Sequence, residues 1–277
     1  MTASPILVGC DFSSSPTQRK PIVVAVGHAK AGRVQLQSLL RFDTLASFFD
    51  WLKLPQAWVG GFDLPFGLPR ELVEHLQWPT DWLPCMQHYT ALSRADIRAT
   101  FKAFCDARPV GGKFAHRVTD TPAGSSPSMK WVNPPVAYML HAGVPLLIDA
   151  GITLPRLHMP LSSTPLRIGL EAYPGLLARE QLGRRSYKGD HPAARHDPTR
   201  RAARATLIDA LLAGQTRLGL GLQLDDRQQR DELLADASGD LLDATLCLLQ
   251  AGWAALRPPR YGLPADLDPL EGWIVSA

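Results

Sequence analysis

Three apolar runs in the first 42 residues, joined by short polar connections, constrain this chain more than any other feature. "PILVGCDFS" is brief, apolar and closed by a polar turn, the pattern of a central strand. "KPIVVAVGHA" reads as a second strand, and "RVQLQSLLRF" as a third that alternates in its first half. Connections this short predict an antiparallel meander. "DTLASFFDWLKL" then shows helical spacing behind Asp43, a candidate N-cap, and "AWVGGFDLP" gives a fourth strand stopped by Pro65. A strand, helix, strand order after a meander predicts a right-handed crossover that lays the fourth strand beside the first.

The remainder extends that plan. From about residue 79 to 165 prolines, glycines and "TPAGSSPS" interrupt the pattern, which predicts a helix-and-loop insertion with one helical segment over Arg94–Ala107. "LRIGLEAYP" restores strand character, "DPTRRAARATLIDALLAG" is an amphipathic helix with a glycine stop, and "GDLLDATLCLLQAGWAAL" is a helix apolar on nearly all sides. The tail, 258–277, reads as irregular. The expectation is one domain over 1–277, with a core of about 5–78 and 166–257. With 277 residues, 45% of them hydrophobic, such a domain needs no disulfide or metal to hold it. Cys10, Cys85, Cys105 and Cys247 have no C-x-x-C spacing, so zinc-finger and disulfide frameworks are unsupported, and Cys10 and Cys247 read as reduced core residues. No membrane-length apolar run and no secretory leader pattern is present, which makes a cytoplasmic protein without a membrane partner the simplest expectation.

Carboxylates stand at the ends of apolar elements: Asp11, Asp63, Glu171, and the pair Asp240 and Asp243, three residues apart on the last helix. Ligands in α/β sheets gather where strands end. Three antiparallel strands, a crossover, then a fourth and a fifth strand is the order of an RNase H-like fold, a five-stranded mixed sheet flanked by helices. In it Asp11 and Asp63 are neighbours. Like charges at such distances raise one another's pKa, and a hard divalent cation offsets that cost. Mg²⁺ or Mn²⁺ is the expected cofactor, and a two-metal site can clamp both sides of a phosphoryl displacement. Taken singly, Asp11 also fits a turn former and Asp240 a first-turn acid. Glu171 also fits an ion pair with Arg167 or Arg179.

"GCDFS", "GGFDLPFGLPR", "EAYPG", "GDLLDATLCLLQA" and "EGWI" occur in the order seen in the domain-of-unknown-function 429 family, which the chain resembles over nearly its whole length. That resemblance implies an RNase H-like nuclease, with Asp11, Asp63 and Asp240 or Asp243 as metal ligands and Glu171 as a fifth-strand acid. The D-x-x-D on the last helix also resembles that of RuvC-type junction resolvases. "DLPFGLP" brackets Gly67 between Pro65 and Pro69, a rigid turn that fits either a structural strand exit or a device fixing Asp63.

Net charge is only +3, so a nucleic-acid footprint must be local. One basic stretch runs from Arg94, Arg98 and Lys102 to Arg117, another from Arg184 and Lys188 through Arg195 to Arg204. Tyr89, Trp131 and Tyr187 are candidate stacking surfaces, and Lys130 with Trp131 reads as an exposed loop for substrate contact. Three functional readings follow. The first is a divalent-metal-dependent phosphodiesterase acting on DNA or RNA. The second is a non-catalytic module binding nucleic acid or protein on the same fold. The third, an actin-like or sugar-kinase-type phosphotransferase, is disfavoured because "DFSSSP" and "DLPFGLP" lack glycine-rich phosphate hairpins.

Overall fold

The computed structural model of the protein describes residues 5–161, 164–189, 191 and 196–277. Its centre is a six-stranded mixed sheet: β1 (Ile6–Asp11), β2 (Ile22–Lys30), β3 (Arg33–Phe42), β4 (Trp58–Asp63), β5 (Arg167–Glu171) and β6 (Gly221–Gln223). The spatial order is β5-β4-β1-β2-β3-β6. β1, β2 and β3 are antiparallel, while β4 runs parallel to β1, β5 to β4 and β6 to β3. The five expected strands are present, and the sheet has one more. β6 is three residues long, too short to show a period against the loop around it.

Side chains alternate across the strands and supply two cores. Val8, Cys10, Ile22, Val24 and Phe62 pack on one face, with α1 (Leu45–Leu52) and the insertion. Leu7, Val23, Ala25 and Val59 pack on the other, against α7 (Pro174–Leu182), α8 (Pro198–Leu212), α9 (Arg227–Ala235) and α10 (Asp240–Ala255). Helix α1 is capped by Thr44, whose side chain accepts from the Ser47 amide at 3.0 Å, not by Asp43. Asp197 caps α8, its side chain accepting from the Thr199 and Arg200 amides. All four cysteines are buried and free, and no helix among the described residues is long and apolar enough to cross a membrane.

The insertion is more helical than expected and begins earlier. It carries α2 (Arg70–His75), α3 (Trp82–Ala91), α4 (Arg94–Asp106), α5 (Asp120–Ala123) and α6 (Val136–Asp149). Of these only α4 is evident in sequence; Pro84 in α3 and Pro145 inside α6 disguise the other long ones. The irregular tail is nonetheless anchored. Ile274 bridges Glu171 in parallel, and Leu270, Ile274 and Val275 are buried.

Helix α10 is buried at every position except Trp253 and Ala255. Two strand glycines allow this. A Cβ on Gly9 would collide with the Ala244 carbonyl oxygen and the Leu248 amide, and one on Gly61 would lie 2.7 Å from the Cys247 carbonyl oxygen. Glycine in a strand here marks the close approach of another backbone. The helix therefore crosses directly over β1 and β4, with its first turn above their C-terminal ends.

Candidate functional site

Asp11 and Asp63 close β1 and β4 at the same register, directly beside one another in the parallel pair. Both are partly buried, and neither carboxylate has a hydrogen-bond partner among the described residues. Burial, then the carboxylates of Asp243, Asp240 and Asp63, hold the Asp11 pKa well above the usual range. Asp63 is pushed up to about 7 by burial and by Asp243, against the pull of Lys188. Two adjacent acids that resist ionisation form a centre short of positive charge.

Asp243, 1% exposed, stands one turn into α10 and faces this pair. Its carboxylate is already held: the Tyr187 hydroxyl donates to Oδ1 and the Lys188 ammonium to Oδ2. Lys188 reaches in from solvent, with 45% of its side chain exposed. Its backbone is set firmly. Arg204 donates to the Tyr187 carbonyl at 2.8 Å, and Arg200 to the Lys188 carbonyl at 2.9 Å. Gly239, which precedes α10 at φ +81°, leaves the room; a Cβ there would lie 2.6 Å from Lys188 Cβ.

Asp240 is not equivalent to Asp243. It sits at the first helical position beside Asp236 and lines a cavity of about 380 Å³ together with Arg19 and Arg41. Its pKa is raised to about 6 by burial, then Asp236, then Asp243. Of the two helix acids, Asp243 is the one that acts on Asp63.

Glu171 is engaged elsewhere. Arg117 grips it in a bidentate pair, Nη2 to Oε1 at 2.6 Å and Nη1 to Oε2 at 2.8 Å, and Oε2 also accepts from the Phe66 amide at 2.9 Å. Burial raises its pKa while Arg117 pulls the other way. Its partner is neither Arg167, which donates to the Leu52 and Ala150 carbonyls, nor Arg179, which donates to Ala123. Since Phe66 lies in the turn after Asp63, and a Cβ on Gly67 would collide with the Leu270 and Glu271 carbonyls, "DLPFGLP" is a packed strand exit that Glu171 pins.

The basic stretches divide in the same way. Arg94 donates to the Ser14 carbonyl at 2.9 Å and stacks over Tyr138, tying α4 to the loop that leaves Asp11. Arg98 is exposed, and Lys102 pairs with Asp106. Arg117 and Arg204 are buried structural cations and Arg195 lies outside the described residues. Two of the three stacking candidates are buried. Tyr89 is buried with its hydroxyl on the Ala137 carbonyl, Tyr187 is buried on Asp243, and Trp131 packs against Phe114 above a partly buried Lys130. The aromatic that does line the acid centre is Tyr173, whose pKa is raised by burial and, to a lesser degree, by Asp63. Its signal in the sequence is an aromatic between a strand-end acid and the Pro174–Gly175 helix start.

The donor chemistry suits a hard cation: Asp11 and Asp63 offer oxygen ligands that lack hydrogen-bond partners among the described residues. Among the described residues no group of three or more His, Cys, Asp or Glu is arranged as a ligand set, Asp243 being bound to Tyr187 and Lys188. Comparison with family models, with curated proteins and with solved structures gives no match for this chain.

Proposed function

We propose that the chain is a divalent-metal-dependent phosphodiesterase acting on nucleic acid, built on an RNase H-like frame. The observation that carries the reading is the side-by-side placement of Asp11 and Asp63 at the ends of parallel strands, with Asp243 facing them from α10. The run β3-β2-β1-β4-β5 is the order expected of that frame, and the resemblance of the strand-end motifs to the domain-of-unknown-function 429 family points the same way.

Asp11 and Asp63 would hold the cation, Mg²⁺ or Mn²⁺, with Asp243 beside them. When bound, the metal supplies Lewis-acid activation of water and stabilisation of the leaving oxygen. The chain's own contribution is placement and charge. Lys188, paired with Asp243 and 45% exposed, keeps further N–H donors at the rim for a phosphate oxygen. The Arg117–Glu171 pair fixes the turn after Asp63 and keeps that carboxylate at the strand end. A second reading, a binding module without catalysis, is favoured by one observation: Asp243 is neutralised by Lys188 within the chain itself.

Calorimetric titration of Mn²⁺ into the metal-free wild type, Asp11→Asn and Lys188→Met separates the two, followed by cleavage assays on DNA and RNA. The nuclease reading expects saturable binding that Asp11→Asn abolishes. It also expects Lys188→Met to tighten binding about tenfold, since the competing ammonium on Asp243 is gone; tenfold corresponds to about 1.4 kcal/mol. Cleavage should fall at least ~100-fold in Asp11→Asn, as for removal of a group that acts in the transition state. Cleavage unchanged in Asp11→Asn, or none in the wild type with either metal, gives the site to the binding module.

A further inference from the structure

Asp63 lines two neighbouring recesses. On one side a cavity of about 300 Å³ has apolar walls of Leu64, Pro65, Val136 and Met139 beside Tyr173, with Arg117 and Glu171 in its polar lining. On the other a smaller recess of about 190 Å³ is edged by Arg179, Arg185 and Lys188. Asp63, Tyr173 and Lys188 line both, so the two recesses adjoin at Asp63.

We infer that the apolar recess receives the base of a single unpaired nucleotide whose phosphate lies over Asp63 and Lys188, so that the substrate is a single strand or a frayed strand end, not intact duplex. The inference rests on the phosphodiesterase reading of the acids and adds the substrate class to it.

Three observations carry it. The first is size. At about 300 Å³ the recess is at the lower limit of small-molecule pockets, roughly 300–1,000 Å³, which admits one nucleoside and excludes a base pair. The second is the fixed aromatic wall. Tyr173 is clamped by the Arg179 guanidinium, 5.2 Å from its ring centroid, and by Gly175, where a Cβ would lie 2.7 Å from the ring. Arg179 covers one face of this ring, and a base would stack on the other.

The third is the separation of charge. Arg117 also lines the apolar recess, but its guanidinium is matched by Glu171 and Asp120, at 2.6 Å and 2.9 Å. Lys188 lines both recesses and is paired with Asp243, so the first recess holds no unmatched cation for a phosphate. Arg185 lines only the second. A ligand that satisfies both recesses has a flat ring system joined to an anionic group. A nucleotide has that form, either within a strand or free.

The test is binding in EDTA, where no metal-dependent cleavage occurs, so that its outcome is independent of the catalytic reading. A labelled single strand of about 12 nucleotides and the blunt duplex of the same sequence are titrated into the full chain; that length covers the roughly 4–16 nucleotides a single-strand site spans. The single strand should bind at least ~10-fold more tightly than the duplex. Met139→Trp, which fills the recess, should weaken single-strand binding by a similar factor without changing Tm. Arg185→Glu should weaken it too and flatten its salt dependence, as loss of a phosphate contact does. If Met139→Trp does not fold, Tyr173→Ala serves, read by 2-aminopurine at the strand's end. The base should change its fluorescence on binding the wild type and not on binding the variant. Equal affinity for duplex and single strand, no binding of either, or a Met139→Trp variant that binds like the wild type overturns the inference. Competition by a free nucleoside monophosphate as effective as the oligonucleotide would overturn it as well, giving the recess to a free nucleotide. Cleavage that fails while single-strand binding behaves as described removes the phosphodiesterase and leaves the recess.

Discussion

Asp63 carries the clearest electrical signature in the molecule, a carboxyl pushed up to about 7 by burial and then by Asp243. In the unfolded chain the same group titrates near ~3.9. Between those two values the folded state holds a proton that the unfolded state has released, so stability falls as pH rises through that window. Asp11 is shifted in the same direction and adds to the effect. Asp63→Asn removes the charge that folding must accommodate. The variant should be more stable than the wild type by on the order of 1–3 kcal/mol at pH 8, with the difference vanishing only below about pH 3.9, where Asp63 is neutral in the folded and the unfolded chain alike. Urea denaturation at the two pH values checks this. Equal stability at pH 8 would mean that Asp63 ionises without strain. A residue that weakens its own fold at working pH is one retained for what it holds, and Mn²⁺ should raise the wild-type Tm at pH 8 more than that of Asp63→Asn.

At the scale of elements, what makes these acids neighbours is the descent of α10 onto β1 and β4. The sequence shows the participants plainly. The apolar runs, the strand-end acids and the buried helix are all legible, because period and turn chemistry are local properties. The closeness is legible only to a degree. Gly9 and Gly61 read as small strand residues, and nothing local says that a helix backbone lies against them. Gly9→Ala should therefore cost about 3 kcal/mol, the upper end of the range for an overpacked core, since the added methyl meets backbone atoms that cannot rotate away. It should also lower Mn²⁺ affinity by lifting Asp243 from the strand ends. Thermal melts with and without Mn²⁺ test both, and a Gly9→Ala variant with wild-type Tm would show that α10 has room to move. The helices that escape sequence reading, α3 and α6, carry prolines that erase the local pattern while tertiary packing keeps the helix.

At the scale of the molecule, what the sequence hides is the set of long-range polar contacts that decide which acids are available. Lys188 meets Asp243 across 55 residues and Arg117 meets Glu171 across 54, separations at which neither pattern nor propensity speaks. The Arg117 cluster joins three regions. Its guanidinium, 2% exposed, binds Glu171 on β5, Asp120 in the insertion and the Glu271 carbonyl in the tail. Glu271 in turn accepts from the Val118 amide at 2.8 Å and the Arg70 amide at 2.8 Å. This cluster gives Glu171 a structural duty, and substitution distinguishes that duty from catalysis. Breaking a buried pair by removing one partner leaves an uncompensated charge and costs about 3–5 kcal/mol. Glu171→Gln, which leaves Arg117 still paired with Asp120, should lose less than Arg117→Met, which strands two carboxylates. Both should loosen the tail, which limited tryptic proteolysis would reveal as early cleavage after Arg260. A catalytic Glu171 would behave oppositely: its Gln variant would keep the wild-type urea midpoint and protease resistance while losing turnover. The expected order, wild type above Glu171→Gln above Arg117→Met in urea midpoint, makes the insertion and the tail members of a single scaffold. That scaffold's function is to hold the turn after Asp63 in place.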